Sequence, residues 1–532
     1  MQTAPCMNAL PSETVLNILR EVDVQTLIFS KRVCRLWNRL ITNDVHLQYN
    51  IEFAFSGLLE HPPQSLPKAK QLDILRNHAS AWRNLKWDHW MSLRVPRLEA
   101  FDTTVVGDVL VRKEGSIMWL TRIPSRRLGT AVEHWSIQLD VPIDTYSIDP
   151  TQDLLVLVER LRNDGTNNDY RVQVHLRSLR TGVEHPDAHA SPYVICTAAK
   201  RNREIASHAQ ILGSQIGVLY SIVIDEVECH RLVFNWRTGK KRLCLVGQAD
   251  DEFVLLDEDL VLLPPSEDDL LINEPYVIVY DMRTHTTEDT LISEATYHCL
   301  LELPGNHGRS CCIVKMLSDP RHINQSSPDF PQRQTQVDSI ISIALLFFEP
   351  PDDDYEYMLS EYNVQSFIIY IPASRLRRRI EEAPSSGFKF TWNNWGPPDT
   401  CVSQDGVSEV DQFRLLSGMR ALHLFTNGSD KFLRVFDFDP ARVAKVICEY
   451  DQEQGDNKAK DLRRSSKVDD GYLDMIGLQA RLPYLYRRRR LPAKVKALYE
   501  NPHYQWYLTD DAVIVIPQSR FNDSEIIYFC MF

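Results

Sequence analysis

Two neighbouring segments, DLLVLVE (153–159) and YRVQVHLRSLRTG (170–182), decide the fold that the sequence predicts for most of the chain. An apolar run is followed by a polar turn, and a strand of alternating polarity then ends in a second polar turn, which is the pattern of a β-hairpin. Two later pairs of segments repeat this order: QIGVLYSIVI (215–224) with HRLVFNWRTG (230–239), and DLVLLP (259–264) with PYVIVYDMRTH (275–285). In all three copies an Arg-Thr pair follows the second strand, at Arg180, Arg237 and Arg283.

Weaker copies of this hairpin keep the alternation of polarity but lack the Arg-Thr pair. They are GDVLVRKEGSIMWLTR (107–122), ISIALLFFEP (341–350) with VQSFIIYIPASR (364–375), RALHLFT (420–426) with KFLRVFDFDP (431–440), and DDAVIVIP (510–517) with SEIIYFCMF (524–532). About seven units result, and blade repeats run ~40 to 50 residues. We predict an irregular β-propeller of about seven blades for residues 98–532. Packed β-sandwiches are the alternative, because alternating strands alone do not establish that the sheets close into a ring.

Before these strands, LPSETVLNILREVDVQTLIFSKRVCRLWNRLI (10–41) carries apolar side chains at helical spacing. Val15, Ile18, Leu19 and Val22 follow the i, i+3, i+4, i+7 pattern, and a second set begins at Val33. Two or three short helices are predicted, and they bury too little surface to be stable alone. Their apolar faces would pack either on the rest of the chain or on an outside helical partner, and periodicity does not choose between the two.

Helical spacing continues beyond this head, at Leu72, Leu75, Ala79 and Trp82. We therefore divide the chain into a helical head over 8–50, a helical connector over 51–97 and the strand-rich body over 98–532. A protein of 532 residues is longer than one core usually holds, which agrees with a small domain joined to a large one.

Composition limits the partners that the chain is expected to bind. Its 59 basic and 72 acidic side chains leave a net charge of -13, which gives no overall attraction to nucleic acid or anionic lipid. The longest apolar run, IISIALLFF (340–348), is about half the length of a membrane-spanning helix, and the first residues lack the pattern of a signal peptide. We predict a protein of the cytoplasm, the nucleus or both, with no membrane partner and no nucleic-acid partner.

The sequence carries no short motif of catalysis or cofactor binding. It has no G-x-S-x-G, no Walker-type loop, no G-x-G-x-x-G and no H-E-x-x-H. Its 11 cysteines lack Cys-x-x-Cys pairs, so reduced thiols are the better interpretation. We therefore predict a protein that is not an enzyme, with no metal and no cofactor.

Two basic runs stand out from the acidic background. RLRRRIEE (375–382) mixes both signs and predicts a solvated helix or edge. YLYRRRR (484–490) places two tyrosines beside four arginines, which would suit phosphates, stacked bases, an acidic partner segment or simply an exposed loop.

The head resembles the F-box, in which Leu-Pro-x-Glu precedes an Ile-Leu pair, a Leu in the middle helix and a Val-Cys-x-x-Trp sequence. The residues that carry the resemblance are Leu10, Pro11, Glu13, Ile18, Leu19, Leu27, Val33, Cys34 and Trp37. Val15 and Val22 depart from it, since longer aliphatic residues are frequent there, and Phe29 adds bulk to the middle helix.

The rest of the chain resembles the F-box domain-containing proteins of mushroom-type (basidiomycete) fungi. The segments that carry this likeness are LQYNIEFAFSGLLEHPP, AWRNLKW, DPTQDLLVLVE, HPDA, WNNWGPPDT and RLPYLYRR. The resemblance implies that the nine head residues carry the interface with an adaptor of the Skp family or the packing beneath it. It also implies that the adaptor links to a cullin, while the body binds a protein substrate for ubiquitin transfer.

Two other functions stay open at this stage. One is an F-box scaffold that binds the adaptor but acts outside ubiquitin transfer. The other is a propeller-type hydrolase with a helical appendage, which requires acidic or histidine side chains that converge at the mouth of the channel.

Overall fold

The computed structural model describes the following residues of the chain: 10–56, 62–86, 89–96, 102–162, 169–199, 207–223, 227–247, 252–265, 275–284, 288–305, 310–319, 338–348, 365–403, 415–427, 430–444, 482–490, 504–517 and 524–531. Helices come first, and strands make up most of the remainder. The helices of the first part are α1 (Ser12–Arg20), α2 (Val24–Ser30), α3 (Arg35–Asn43), α4 (Val45–Ser56) and α5 (Lys68–Asn84).

Short polar side chains fix where the head helices begin. Asp23 caps α2, because its carboxylate accepts a hydrogen bond of 2.9 Å from the Thr26 backbone nitrogen. Asp44 caps α4 by accepting one of 2.9 Å from the Leu47 nitrogen. The expectation of two or three helices within 10–41 is confirmed by α1, α2 and α3.

The first four helices enclose a small apolar core. Its buried members come from all four of them: Val15, Leu19, Leu27, Ile41, Leu47 and Ile51. We call this four-helix unit the head. Helix α5 packs on α4 through a second small cluster that contains Tyr49, Leu72 and Leu75, so it joins the head to the body.

Among the described residues, the strands form seven sheets. Sheet 1 contains β2 (Asp102–Val106), β3 (Val109–Glu114), β4 (Ile117–Arg122) and β5 (Glu133–Gln138). Sheet 2 contains β6 (Thr145–Asp149), β7 (Leu154–Arg162), β8 (Asp169–Ser178) and β9 (Tyr193–Ala199). Sheet 3 contains β10 (Ser207–Leu212), β11 (Gln215–Val223), β12 (Val227–Asn235), β13 (Lys241–Gly247) and β17 (Thr290–Leu291).

The remaining sheets follow in chain order. Sheet 4 contains β14 (Val254–Leu255), β15 (Leu260–Leu263), β16 (Tyr276–Asp281), β18 (Cys299–Glu302) and β22 (Phe388–Phe390). Sheet 5 contains β19 (Ser310–Ser318), β20 (Ile340–Phe348), β21 (Gln365–Pro372) and β23 (Cys401–Ser403). Sheet 6 contains β24 (Leu416–Ser417), β25 (Arg420–Asn427), β26 (Asp430–Asp437) and β27 (Leu485–Arg490). Sheet 7 contains β28 (Tyr504–Leu508), β29 (Ala512–Pro517), β30 (Ser524–Met531) and β1 (His89–Pro96). Helices α6 (Ala373–Glu381) and α7 (Trp392–Asp399) lie between β21 and β23.

Each sheet shares one apolar core with the sheet before it and another with the sheet after it. In β7, Leu157 lies in the core between sheets 1 and 2, and Val156 lies in the core between sheets 2 and 3. Leu110 of β3 packs with Ile514 and Ile527 of sheet 7, so the last sheet also contacts the first. The sheets therefore form a closed ring rather than paired sandwiches, and the predicted β-propeller is confirmed.

Strand β1 closes this ring. It pairs with β30 in antiparallel register from His89 opposite Met531 to Pro96 opposite Ser524. Residues 89–96 lie within the segment that we predicted as a helical connector, and that part of the prediction is wrong. The reason is that this stretch gains its hydrogen bonds from the other end of the chain, a contact that local periodicity does not reveal.

The seven hairpins predicted from sequence occupy one position in every sheet. They are the two middle strands: β3–β4, β7–β8, β11–β12, β15–β16, β20–β21, β25–β26 and β29–β30. Middle strands have a strand on either side and a packed sheet above and below, so apolar residues dominate both of their faces.

The Arg-Thr turns are closed by a short polar side chain at the end of the preceding strand. Ser178 accepts a hydrogen bond of 3.2 Å from the Thr181 nitrogen, and Asn235 accepts one of 3.1 Å from the Arg237 nitrogen. Gly239 then adopts a φ of +68°, in the region that disfavours side chains. These local bonds explain the recurrence of the pattern in the sequence.

We expect Gly239→Ala to lower the melting temperature of the protein more than Gly115→Ala does. Both glycines have positive φ, so an alanine at either position is strained by about 1 kcal/mol or more. At Gly239 the new methyl carbon would also stand 2.3 Å from the His189 ring, whereas at Gly115 it meets no atom within 4 Å. If thermal denaturation gives the same decrease in melting temperature for both variants, the contact with His189 does not contribute to the destabilisation.

Candidate functional site

The head exposes more large apolar side chains than its size would predict. Of the nine large hydrophobic residues that are exposed in the described part of the chain, five lie between residues 18 and 45. They are Ile18, Phe29, Val33, Leu36 and Val45. Single exposed apolar residues are ordinary, but a concentration of them indicates an interaction surface.

Three of these side chains lie close together in sequence where α2 turns into α3. Phe29 and Val33 are 65% and 66% exposed, and Leu36 follows in the first turn of α3. Cys34 begins α3 by accepting a hydrogen bond of 3.5 Å from the Trp37 nitrogen, and Asn38 donates one of 3.1 Å to the Lys31 carbonyl. We call Phe29, Val33 and Leu36 the corner surface.

The structure places most of the residues that carry the F-box resemblance where a partner could reach them. Pro11, Glu13, Ile18 and Val33 are exposed. Leu10, Cys34 and Trp37 are half-buried, and the buried Trp37 indole nitrogen has no hydrogen-bond partner among the described residues.

Leu19 and Leu27 lie beneath the exposed surface of the head rather than on it. Their side chains are 2% and 0% exposed and lie in the core of the head. The head needs these side chains to hold its own helices together, so they support the outer surface from beneath. Sequence reasoning instead omitted Phe29 and Leu36 from the candidate residues, although Leu36 follows the helical spacing of α3.

An ion pair fixes α1 against the start of α4. The Arg20 guanidinium donates a hydrogen bond of 2.7 Å to the Asp44 carboxylate, which also caps α4. Burial would raise the pKa of Asp44, but the hydrogen bonds from Leu47 and Arg20 lower it overall. The carboxylate is therefore held ionised, and it joins α1 to the start of α4.

Helix α5 anchors the head to the propeller through a tryptophan. Trp82 and Leu85 lie in the apolar core that sheets 6 and 7 share. The Trp82 indole nitrogen donates a hydrogen bond of 2.8 Å to the Asp510 carbonyl, at the turn between β28 and β29. The helix thus packs on the head through Leu72 and Leu75 and on the propeller core through Trp82.

A buried charged cluster reinforces this anchor. The Arg127 guanidinium donates hydrogen bonds of 2.9 and 3.2 Å to both oxygens of Asp511, and His78 of α5 lies 3.1 Å from the same carboxylate. Burial would raise the pKa of Asp511, but the hydrogen bond from His78 and the charge of Arg127 lower it well below its usual value. Asp511 therefore stays ionised between sheet 7 and α5.

The basic run 484–490 is not the exposed loop that was one interpretation of it. Its arginines lie on β27, which pairs with β26. Arg487 donates a hydrogen bond of 3.2 Å to the Arg83 carbonyl, and Arg489 donates one to the Leu85 carbonyl. The last carbonyls of a helix carry partial negative charge, so two of these arginines stabilise the end of α5.

The run 375–382 is helical, as predicted, but not wholly solvated. Leu376 and Ile380 are buried beneath α6. Arg379 lies 3.0 Å from the buried carboxylate of Asp399, and Arg377 donates a hydrogen bond of 2.7 Å to Asp257. Its charges bind other parts of the body.

The described residues include no group of three or more His, Cys, Asp or Glu that could hold a metal ion. A buried pair of such residues, His175 and Glu159, lies at 2.7 Å, with exposed fractions of 7% and 2%.

No helix in the described ranges is long and apolar enough to cross a membrane.

We expect Arg127→Met to destabilise the docking of α5 by about 3–5 kcal/mol, because Asp511 would lose its principal partner while remaining buried. Arg122→Met is the control, since Arg122 pairs with the more exposed Asp108 and Glu133, and its loss should cost about 1 kcal/mol or less. Thermal unfolding measures both.

The same cluster predicts a dependence on pH. The pKa of Asp511 is depressed in the folded state, so its contribution is complete above the ordinary value of 3.8 and is lost as the pH falls below it. The stability gap between wild type and Arg127→Met should therefore narrow in acid. If the stability difference stays constant down to the pH of acid unfolding, the ionised Asp511 is not the source of the stabilisation by Arg127.

Comparison with known proteins gives a family match for the head, where residues 7–53 match the model of the F-box-like family. No curated protein matches the chain in sequence. The β-propeller domain of the Trilobed protease from Pyrococcus furiosus is similar at 8% identity and a TM-score of 0.30, over 82% of this chain and 95% of that chain. TolB from Acinetobacter baumannii is similar at 10% identity and a TM-score of 0.28, over 71% and 69%. The chain thus consists of an N-terminal F-box-like domain followed by a β-propeller body.

Proposed function

We propose that this protein is the substrate-recruiting subunit of a Skp-cullin-F-box ubiquitin ligase, from the F-box proteins of mushroom-type fungi. The observation that carries the proposal is the exposed apolar surface of a head that matches the F-box-like family. F-box domains generally bind adaptors of the Skp family. The adaptor would link this chain to a cullin, in the cytoplasm, the nucleus or both.

The adaptor would bury the corner surface together with the exposed start of α1. Phe29, Val33 and Leu36 supply apolar area, and burial of such area contributes roughly 25 cal/mol per Å². Pro11 and Glu13 lie exposed on the first turn of α1 and would add shape and charge at the edge of the contact.

In this proposal the chain supplies no catalytic group and acts as a tether. The body would hold a protein substrate, and the head would hold the adaptor. Binding both at once raises the local concentration of the substrate at the transfer machinery. The anchoring of Trp82 in the core of sheets 6 and 7 supports this role, because it fixes the direction of the head relative to the body.

We place the substrate on the face of the propeller away from α5. The turns between the first and second strands of all sheets lie on one face, because successive inner strands of a propeller run in the same direction. Helix α5 contacts this face at Asp510, which leaves less of it for a substrate.

We expect Val33→Asp to weaken the binding of a purified Skp-family adaptor at least tenfold, because a buried carboxylate without a partner opposes the contact. Val183→Asp is the matched control: Val183 lies on the body and is 64% exposed, against 66% for Val33. Isothermal titration calorimetry with the full chain gives both affinities.

If both variants and the wild type bind the adaptor with equal affinity, the corner surface is not the adaptor-binding surface. Replacement of Leu10 and Pro11 by Ala should also weaken the complex. If the adaptor binds but purified complexes never contain a cullin, the scaffold function is correct and the ligase function is wrong.

A further inference from the structure

A cleft lies between the helices that carry the head and sheet 6 of the propeller. It encloses about 690 Å³ when its open mouth is included. Helices α4 and α5 form one wall, and strands β26 and β27 form the other. The apolar part of its lining consists of Phe55, Ala79, Trp82, Val435 and Leu485.

The charged part of the lining carries an excess of positive charge. Four arginines line the cleft, against one glutamate and one aspartate: Arg83, Arg420, Arg442, Arg487, Glu52 and Asp437. Both acids already have cationic neighbours. Arg442 donates hydrogen bonds of 2.7 and 2.8 Å to the two oxygens of Asp437, and Glu52 lies 3.6 Å from Arg76.

Arg420 is the most deeply buried arginine of the cleft. Its side chain is 6% exposed, and its nearest carboxylate oxygen, on Asp437, lies 3.6 Å from Nε. That Nε has no hydrogen-bond partner among the described residues. The guanidinium lies over the Trp82 ring at 4.8 Å. Burial and the nearby charge of Arg442 lower its pKa more than the charges of Asp437, Asp510 and Asp439 raise it, so an added anion would be favourable here.

We propose that this cleft binds a small amphipathic anion, a single ring or short apolar chain that carries one carboxylate or phosphate group. Its apolar part lies against Phe55 and Leu485. Its anionic group accepts a charge-assisted hydrogen bond from Arg420, which is the stronger kind of hydrogen bond in proteins. This site is separate from the corner surface and does not depend on the adaptor.

Occupancy of the cleft would couple a small molecule to the position of the head. The ligand contacts Phe55 of α4 and Ala79 of α5 on one side and sheet 6 on the other. A ligand that binds only the docked arrangement stabilises that arrangement by mass action. The site therefore offers a means of controlling how firmly the head is held.

The test uses the full chain and ligand-observed saturation-transfer NMR with phenyl phosphate and benzoate. Benzyl alcohol is the neutral control with the same ring, and it should bind at least tenfold more weakly than the better anion. The two anions distinguish a phosphate site from a carboxylate site. Inorganic phosphate, followed by its effect on the melting temperature, tests whether the charge alone suffices, and a shift as large as that with phenyl phosphate would overturn the apolar part of the proposal.

Two variants localise the binding. Ala79→Phe fills the cleft from α5 and should abolish the signal, while Arg420→Gln should weaken the better anion at least tenfold. Arg378→Gln, on the exposed side of α6, is the control and should leave binding unchanged. Melting temperatures report whether each variant folds. If Arg420→Gln does not fold, Arg83→Gln repeats the test of the charge.

Three results would overturn the proposal: neither anion binds, benzyl alcohol binds as well as the anions, or Ala79→Phe binds like wild type. Adaptor affinity of Ala79→Phe, measured in parallel, separates this site from the proposed ligase function. An unchanged affinity together with a lost signal supports two independent sites.

Discussion

The pairing of β1 with β30 is the contact on which the rest of the structure depends. Sheets 1, 2 and 6 are built from strands that follow one another in the chain, and sheets 3, 4 and 5 are interleaved through β17 and β22. Sheet 7 instead joins β1, which precedes all the other sheets, to β28, β29 and β30, which follow them. Without β1, β30 would lose its pairing partner on one side and become an edge strand. Because α5 ends only a few residues before β1, the closure of the ring also fixes where the head is attached.

The head and body are therefore joined by more than a flexible linker. Trp82 fills part of the core between sheets 6 and 7, Asp511 holds His78 and Arg127, and Arg487 and Arg489 bind the end of α5. These contacts combine apolar burial, a buried ion pair and helix capping. The cleft lies beside these contacts, since Trp82 and Arg487 also line it.

The sequence predicted those features that local pattern determines. The middle strands were found because residues such as Val156 and Leu157 are apolar on both faces, whereas β1 was missed because its partner lies at the far end of the chain. In the head, the spacing from Leu10 to Trp37 located the domain. It did not separate buried Leu27 from exposed Phe29, because that difference depends on how three helices pack.

The position of β1 has a consequence for the order of events during synthesis. The head and β1 leave the ribosome before the other strands of the propeller, while β28, β29 and β30 leave after sheets 1 to 6, so β1 must wait for all of these strands before it can pair. Contacts between such distant segments form slowly, and an unpaired strand is prone to aggregate meanwhile. The head, whose own core is local in sequence, can fold early and present its apolar corner long before the ring behind it exists.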